Sequence, residues 1–304
     1  MKKLIVLLFA AVFIFSGCSK EEKPKYDLAL CDSTMPQMCE YLSESETENY
    51  AVETVDFSNG QLTDYLLSIK EEQQYITSVS IYSENITDET AKQLIDFAKE
   101  ENIPVIFAFS DVSAETLTSY DKAFSIVTDY IHAGEITAVK LKQLWTEGII
   151  DDSNSDQIFT FSVVKDETEK ADFEDFYNTV VAGIELYGIP MQISGTVSPA
   201  DIADTDALAA LKAENEGILV VSEAVLPVLE QYTTESEAVE IITIQQGVEN
   251  SLAGKSHTLN CFVDYKNYKT AVDEIIRNYN NKQYPLVESS FFVKDRTVYI
   301  PASV

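Results

Sequence analysis

The chain has 304 residues, and its 51 acidic residues against 21 basic ones give a formal net charge of −30. A chain of this length can form two domains of ordinary size, and its hydrophobic fraction of 45% is that of a globular protein. A negative field of this size opposes binding to phosphate backbones and anionic lipids, which excludes nucleic acid as a partner.

The first residues have the pattern of an export signal. Lys2 and Lys3 precede an apolar run at residues 4–15, which is too short to span a bilayer as a stable anchor. Small residues then stand directly before Cys18, an ending that resembles a bacterial lipobox. We therefore predict a signal peptide at 1–17, a lipidated Cys18, a linker at 18–25 and an extracytoplasmic, membrane-anchored lipoprotein. The alternative is ordinary secretion with a chance cysteine.

Three cysteines remain beyond the signal segment, and an odd number cannot all pair within one chain. They are Cys31, Cys39 and Cys261, and the spacing leaves their pairing open. Neither a CxxC motif nor a Cys/His cluster indicates zinc. His132 and His257 lie in ordinary polar stretches, so we assign them no catalytic or metal-binding role.

Strands and helices alternate through the first hundred residues. β-Rich runs predict strands at 26–31, 50–56 and 78–82. Helical spacing of apolar residues predicts helices at 36–42, 59–72 and 90–99, with Thr87 as N-cap of the last. This alternation predicts a parallel, doubly wound sheet.

The stretch 102–129 suggests a hinge. A buried strand at 104–109 is followed by a polar loop at 110–119 and then by a second strand-like run at 123–128. Two strands joined without a covering helix suggest that the chain leaves one sheet for another. We therefore predict two α/β lobes that meet here.

The remaining residues repeat the strand–helix pattern and then return to the first lobe. A second hinge strand is predicted at 259–264, followed by a helix at 268–279. The tail offers strand-like runs that could form a third crossing. The predicted lobes are residues 26–125 plus 264–290 and residues 126–263 plus 291–304.

At this point the sequence resembles the type I periplasmic sugar-binding proteins, most closely the galactose/glucose-binding proteins of bacterial ABC importers. The residues that carry the resemblance are 102–107, 119–123, 127–129, Gly134, Leu141 and Trp145. The resemblance implies an α/β fold of two doubly wound parallel-sheet lobes joined by a multi-strand hinge. It also implies a monomer that binds a sugar-like ligand between the lobes and an ABC permease as partner.

Ligands of parallel sheets bind at the carboxyl ends of the strands. Candidate ligand-binding residues at these ends are Asp32, Phe109, Asp111, Asp172, Phe176, Glu223, Gln245 and Asp264. The resemblance implies a sugar-binding carboxylate at Asp172. Phe109 and Phe176 stand where the family has asparagine and arginine, so we expect a pocket less polar than a hexose site and weak binding of glucose and galactose. The alternative is that these residues only cap strands.

The loop after residue 151 has the spacing of a calcium site. Its candidate ligands at alternate positions are Asp152, Asn154, Asp156, Ile158 and Thr160. The family carries calcium here, although Gln157 stands where a calcium loop has glycine. The resemblance also implies a calcium-binding glutamate from a distant part of the chain. Gly217 stands at that position here, with Glu216 beside it. The alternative is a solvated turn without Ca²⁺.

No P-loop, GxSxG, HExxH or Cys–His arrangement supports an enzyme. We therefore predict a lipid-anchored solute-binding protein of an ABC importer. The alternatives are a receptor module of the same fold, which senses a ligand or works through protein contacts, and, last, a surface hydrolase.

Overall fold

The computed structural model describes residues 25–57, 61–71, 75–110, 112–150, 152, 155–166, 171–235, 238–281, 292–295 and 298–299. The predicted signal peptide, Cys18 and most of the linker lie outside these residues, as do Asp111 and Asn154. Among the described helices, none combines the length and apolar character needed to cross a bilayer.

The described residues form twelve strands in two sheets. They are β1 (Lys25–Asp32), β2 (Tyr50–Val55), β3 (Tyr75–Tyr82), β4 (Val105–Ala108), β5 (Ala123–Thr128), β6 (Phe159–Val164), β7 (Met191–Val197), β8 (Gly217–Val220), β9 (Ile241–Gly247), β10 (Thr258–Asp264), β11 (Phe292–Asp295) and β12 (Val298–Tyr299). The first sheet has the order β11-β5-β4-β3-β1-β2 and the second β12-β10-β9-β8-β6-β7. All pairs are parallel except β10 with β12, as expected for doubly wound lobes.

The described α-helices cover the sheets. They are α1 (Pro36–Ser43), α2 (Gln61–Glu71), α3 (Asp88–Glu101), α4 (Ala114–Thr118), α5 (Tyr130–Glu147), α6 (Ala171–Leu186), α7 (Thr205–Glu214), α8 (Leu226–Gln231) and α9 (Tyr265–Asn280). The predicted N-cap Thr87 is confirmed, since its side chain accepts the N–H of Thr90. Asn102 ends α3 in the left-handed conformation, with φ 57°.

The stretch 102–129 does not change sheets, contrary to our prediction. The five-residue helix α4 joins β4 to β5, and the two strands pair side by side in the first sheet, with Val105 opposite Ala123. The chain leaves this sheet only after Thr128, where the side chain of Asp129 caps α5. The predicted lobe boundary at 125/126 therefore divides β5.

Two later segments connect the lobes. Helix α9 follows β10 of the second sheet and packs against α1, β4 and β5, so it belongs with the first lobe as expected. At the tail, β11 pairs with β5 in the first sheet and β12 pairs with β10 in the second. Placing all of 291–304 in the second lobe was therefore wrong for Phe292–Asp295, because this strand extends the edge formed by β5.

The lobes share an apolar core at the hinge. One cluster of buried residues runs from Met38 and Ile106 of the first lobe, past Tyr268 and Val272 of α9, to Phe161 of the second. Cys31 and Cys39 form a disulfide between β1 and α1, while Cys261 is buried and unpaired. The disulfide settles the pairing that the sequence left open.

Candidate functional site

A cavity of about 430 Å³ lies where the carboxyl ends of strands from both sheets meet. Its first-lobe wall consists of residues 34–38 with Glu84 and Asn85, and its second-lobe wall includes Glu223, Gln246 and Gly247. Tyr265, the first residue of α9, lies between the two walls. A volume of this order suits a small ligand.

Tyr265 connects the lobes by hydrogen bonding. Its hydroxyl lies 2.9 Å from Glu84 Oε1 of the first lobe and 3.1 Å from Gln246 Oε1 of the second. Burial raises the pKa of Tyr265 well above its ordinary value, and the nearby carboxylates of Glu84 and Glu223 raise it further. Tyr265 is therefore neutral, and its hydroxyl can donate a hydrogen bond to Glu84 of the first lobe or to Gln246 of the second.

Residues 34–38 are held in place at both ends. The disulfide of Cys31 and Cys39 ties β1 to α1 around them. Asp32, a predicted ligand residue, is only 3% exposed; its Oδ1 accepts the N–H of Thr34 at 3.0 Å and its Oδ2 accepts the hydroxyl of Ser83 at 2.6 Å. Asp32 therefore fixes the ends of β1 and β3 behind this wall and does not line the cavity.

A second cavity of about 540 Å³ opens on the first lobe alone. Asp32, Asp56, Thr87 and Gln93 line it, and it shares Thr34 and Asn85 with the interlobe cavity. It is the larger of the two. We nevertheless assign the site to the interlobe cavity, because, of these two, it has described polar groups from both lobes that domain closure can bring together.

Gln246 lines the interlobe cavity, whereas the predicted residue Gln245 does not. Gln245 is 3% exposed, and its amide bonds to Ser251 and Asn260 at 2.9 and 3.0 Å inside the second lobe. Neighbouring residues of a strand point to opposite faces, so the prediction was wrong by one residue.

Phe109 packs into the hinge and does not line the interlobe cavity. Its ring stacks on Tyr268 at 3.7 Å between centroids and meets the ring of Tyr265 edge-on at 4.6 Å. It has φ 74°, which is uncommon for a residue with a side chain. The aromatic contacts hold Phe109 in this conformation, where the resemblance led us to expect a ligand-facing residue.

Phe176 is likewise not a cavity residue. It lies on α6 with 0% exposure, and its carbonyl oxygen is 2.8 Å from where a Cβ on Gly134 of α5 would lie. Asp172 stands in the first turn of α6, and its side chain lies outside what the structure describes. The reason we gave for a pocket less polar than a hexose site was therefore wrong, because neither Phe109 nor Phe176 is among the residues that line the interlobe cavity.

Asp264 caps α9, since its Oδ1 accepts the N–H of Lys266 at 2.9 Å. Of the eight predicted ligand residues, the structure places Glu223 on the cavity. Sequence reasoning missed Glu84 and Asn85, which lie two and three residues beyond the end of β3. The rule that ligands bind at the carboxyl ends of strands could have found both.

The described part of the predicted calcium loop is internally hydrogen-bonded. Asp152 accepts the N–H groups of Asp156 and Gln157 at 3.1 and 2.9 Å, and Asp156 accepts that of Ile158 at 2.7 Å. Gln157 has φ 66°, the conformation for which such loops use glycine. The turn therefore forms although Gln157 stands at the position where calcium loops have glycine.

A carboxylate from another segment also reaches this loop. Oε2 of Glu216 accepts the N–H of Thr160 at 2.8 Å, and Glu216 is 4% exposed. Within the described residues, however, no three His, Cys, Asp or Glu side chains lie close enough together to hold a metal.

Comparison with known proteins gives a partial sequence match. No family model matches the chain. The D-galactose/methyl-galactoside binding periplasmic protein MglB of Haemophilus influenzae is 30% identical over 106 residues. This match spans 34% of the present chain and 32% of MglB, about a third of each.

Solved structures match over most of the chain. A periplasmic solute-binding protein of an ABC transporter from Actinobacillus succinogenes, with bound D-allose, is 13% identical with a TM-score of 0.57, covering 91% of this chain and 98% of that one. A solute-binding protein from Burkholderia graminis in complex with D-arabinose is 12% identical with a TM-score of 0.53, covering 92% and 96%. A periplasmic sugar-binding protein from Legionella pneumophila is 13% identical with a TM-score of 0.51, covering 91% and 100%.

Identities this low establish the fold and leave the ligand open. The fold is shown by the strand order of both sheets, by the three connections between the lobes and by the likeness to these solved structures. The chain therefore has the two-lobed α/β fold of the type I periplasmic binding proteins and resembles their sugar-binding members.

Proposed function

We propose that this protein is an extracytoplasmic solute-binding protein, not an enzyme, which closes its two lobes over a small sugar-like ligand and delivers it to an ABC permease. The convergence of polar groups from both lobes on one cavity, Glu84 from one side and Glu223 and Gln246 from the other, carries this proposal. The disulfide supports an extracytoplasmic location, because such bonds persist in oxidising compartments.

Ligand binding is tested by a thermal-shift screen of the purified protein against neutral sugars, amino sugars, nucleosides and polyols. A ligand at a hundred times its Kd should stabilise the folded state by about 2.7 kcal/mol. Asn85→Ala in the first lobe and Gln246→Ala in the second should each reduce the shift. Gln192→Ala, an exposed amide on β7, is the matched control and should leave it unchanged. Absence of any shift across the panel would contradict the proposal.

We further propose that Cys18 anchors the protein to the membrane through acyl chains. Two or more chains hold a protein firmly, whereas one binds only marginally. Cys18→Ala is expected to release the protein from the membrane fraction into the soluble fraction. A Cys18→Ala protein that is still processed and still sediments with membranes would overturn the lipoprotein assignment.

Calcium binding to the loop at 152–160 is a further proposal. The carboxylates of Asp152 and Asp156, the amide of Asn154, main-chain oxygen at Ile158 and the hydroxyl of Thr160 would hold the ion, with Glu216 nearby. Bound calcium would tie this loop to the start of β6 and so stabilise the second lobe.

We expect calcium to raise the melting temperature of the purified protein and a chelator to lower it, because an ion bound only by the folded state stabilises that state. Asp156→Asn should reduce the calcium shift. Magnesium is the control ion, since it requires a stricter octahedral geometry and should shift the melting temperature less. An unchanged melting temperature with calcium and with chelator would count against the site.

A further inference from the structure

The first-lobe cavity, of about 540 Å³, adjoins the interlobe cavity. Thr34, shortly after β1, and Asn85, shortly after β3, line both cavities, and both residues are exposed. The sheet order places β2 and β3 on opposite sides of β1, so the crevice between β1 and β3 is the topological switch point of this lobe. Ligands of open α/β sheets bind in such crevices, at the carboxyl ends of the strands.

One buried carboxylate fixes the two residues that the cavities share. Asp32 accepts the N–H of Thr34 at 3.0 Å and the hydroxyl of Ser83 at 2.6 Å. The hydroxyl oxygen of Ser83 in turn accepts the N–H of Asn85 at 3.2 Å. Hydrogen bonds to a carboxylate are strong, so the main chain on both sides of the junction is held in place before a ligand arrives. A preorganised site of this kind loses less free energy when it binds.

The first-lobe cavity combines the groups that a sugar ring requires. Phe57 is half-buried and lines the cavity beside the buried Leu62. An aromatic face can pack against the apolar face of a sugar ring. Asp56, Gln93 and Thr90 add a carboxylate, an amide and a hydroxyl to the same lining. These are groups that accept from and donate to sugar hydroxyls.

The volumes of the two cavities indicate the size of the ligand. Small-molecule sites in proteins have volumes of roughly 300 to 1,000 Å³. The interlobe cavity, of about 430 Å³, lies near the lower end of this range, and the two cavities together reach its upper end. A ligand of one ring would leave the first-lobe cavity unused. A second ring joined to the first would gain contacts there with little further loss of translational freedom.

We propose that the ligand is a disaccharide, with one ring between the lobes and the other in the first-lobe cavity against Phe57. Asn85 lies where the two rings are joined, and its amide has both donors and an acceptor, so it can bond to both rings. This inference rests on the proposed solute-binding function and narrows its ligand class.

Sugars of one and two rings test the size of the ligand directly. Calorimetry on the purified protein would compare glucose and galactose with four disaccharides built only from these units: lactose, melibiose, maltose and cellobiose. We expect the tightest disaccharide to bind at least tenfold more tightly than either monosaccharide, because its second ring has contacts of its own.

Substitutions in each cavity assign this advantage to the first lobe. Phe57→Ala and Gln93→Ala should each weaken binding of the best disaccharide at least fivefold and binding of the monosaccharides less than twofold. Gln246→Ala, in the interlobe cavity, should weaken both classes of sugar. Gln143→Ala, an exposed glutamine of α5, is the matched control and should have no effect.

Melting curves show whether each variant is folded. Phe57 packs against the apolar core of the first lobe, so its substitution also reduces stability. Gln93 is exposed, and its variant decides the result if Phe57→Ala does not fold.

Monosaccharides that bind as tightly as every disaccharide would overturn this inference and leave the solute-binding function intact. A disaccharide advantage that survives substitution of Phe57 and Gln93 would overturn it in the same way. If none of the six sugars binds, this inference fails; a ligand found in the wider screen would show that solute binding itself does not.

Discussion

A variant without the disulfide, with Cys31→Ala and Cys39→Ala, is expected to lose about 2 to 3 kcal/mol of unfolding free energy. The bond joins residues eight positions apart, so it removes conformational entropy chiefly from the unfolded chain. For a protein of this size the loss corresponds to a melting temperature lower by about 3 to 5 °C. We also expect weaker ligand binding, because the bond encloses residues 34–38 of the cavity wall.

Reductant provides the control for this prediction. It should lower the melting temperature of the unmodified protein towards that of the double variant and leave the double variant unchanged. The Cys261→Ala protein retains the bond and should respond to reductant as the unmodified protein does. If the double variant melts at the same temperature as the unmodified protein, the bond does not contribute to stability.

Phe109→Ala is expected to reduce the unfolding free energy by about 2 to 3 kcal/mol in the absence of ligand. The substitution removes the ring that packs against Tyr265 and Tyr268, and alanine retains the unfavourable positive φ. Denaturant unfolding measures the change, with Leu186→Ala as a matched control because that side chain is 79% exposed.

This experiment separates two roles for Phe109. A hinge residue affects the stability of the ligand-free protein, as the structure leads us to expect. A residue that only contacts ligand would leave the ligand-free protein unchanged and weaken binding. That second result would restore Phe109 to the binding site and contradict its assignment to the hinge.

The order of strands and helices was predictable because it depends on local periodicity. Which sheet a strand joins was not predictable in this way, as β5 shows. Helix α4 has five residues and buries only Thr116 and Leu117, too few to give a helical pattern in a polar stretch. Without that helix the link from β4 to β5 looked like a departure from the sheet.

The ligand residues were harder to predict than the fold. Gln245 and Gln246 are chemically identical, and only the facing of β9 decides which one lines the cavity. Phe109 and Phe176 were placed in the cleft by resemblance, yet large apolar side chains gain more free energy from burial against aromatic or helical neighbours. Glu223 was predicted because it lies shortly after the buried strand β8, and Glu84 was missed although it lies shortly after β3 in the same way.

The central claim is that the interlobe cavity binds the ligand. It is tested most directly by a crystal structure of the protein bound to the tightest compound from the thermal-shift screen. We predict electron density between the lobes, with ligand atoms within hydrogen-bonding distance of Glu84, Glu223 and Gln246. Density in the first-lobe cavity beside Asp56 and Gln93, with the interlobe cavity containing only water, would contradict the claim.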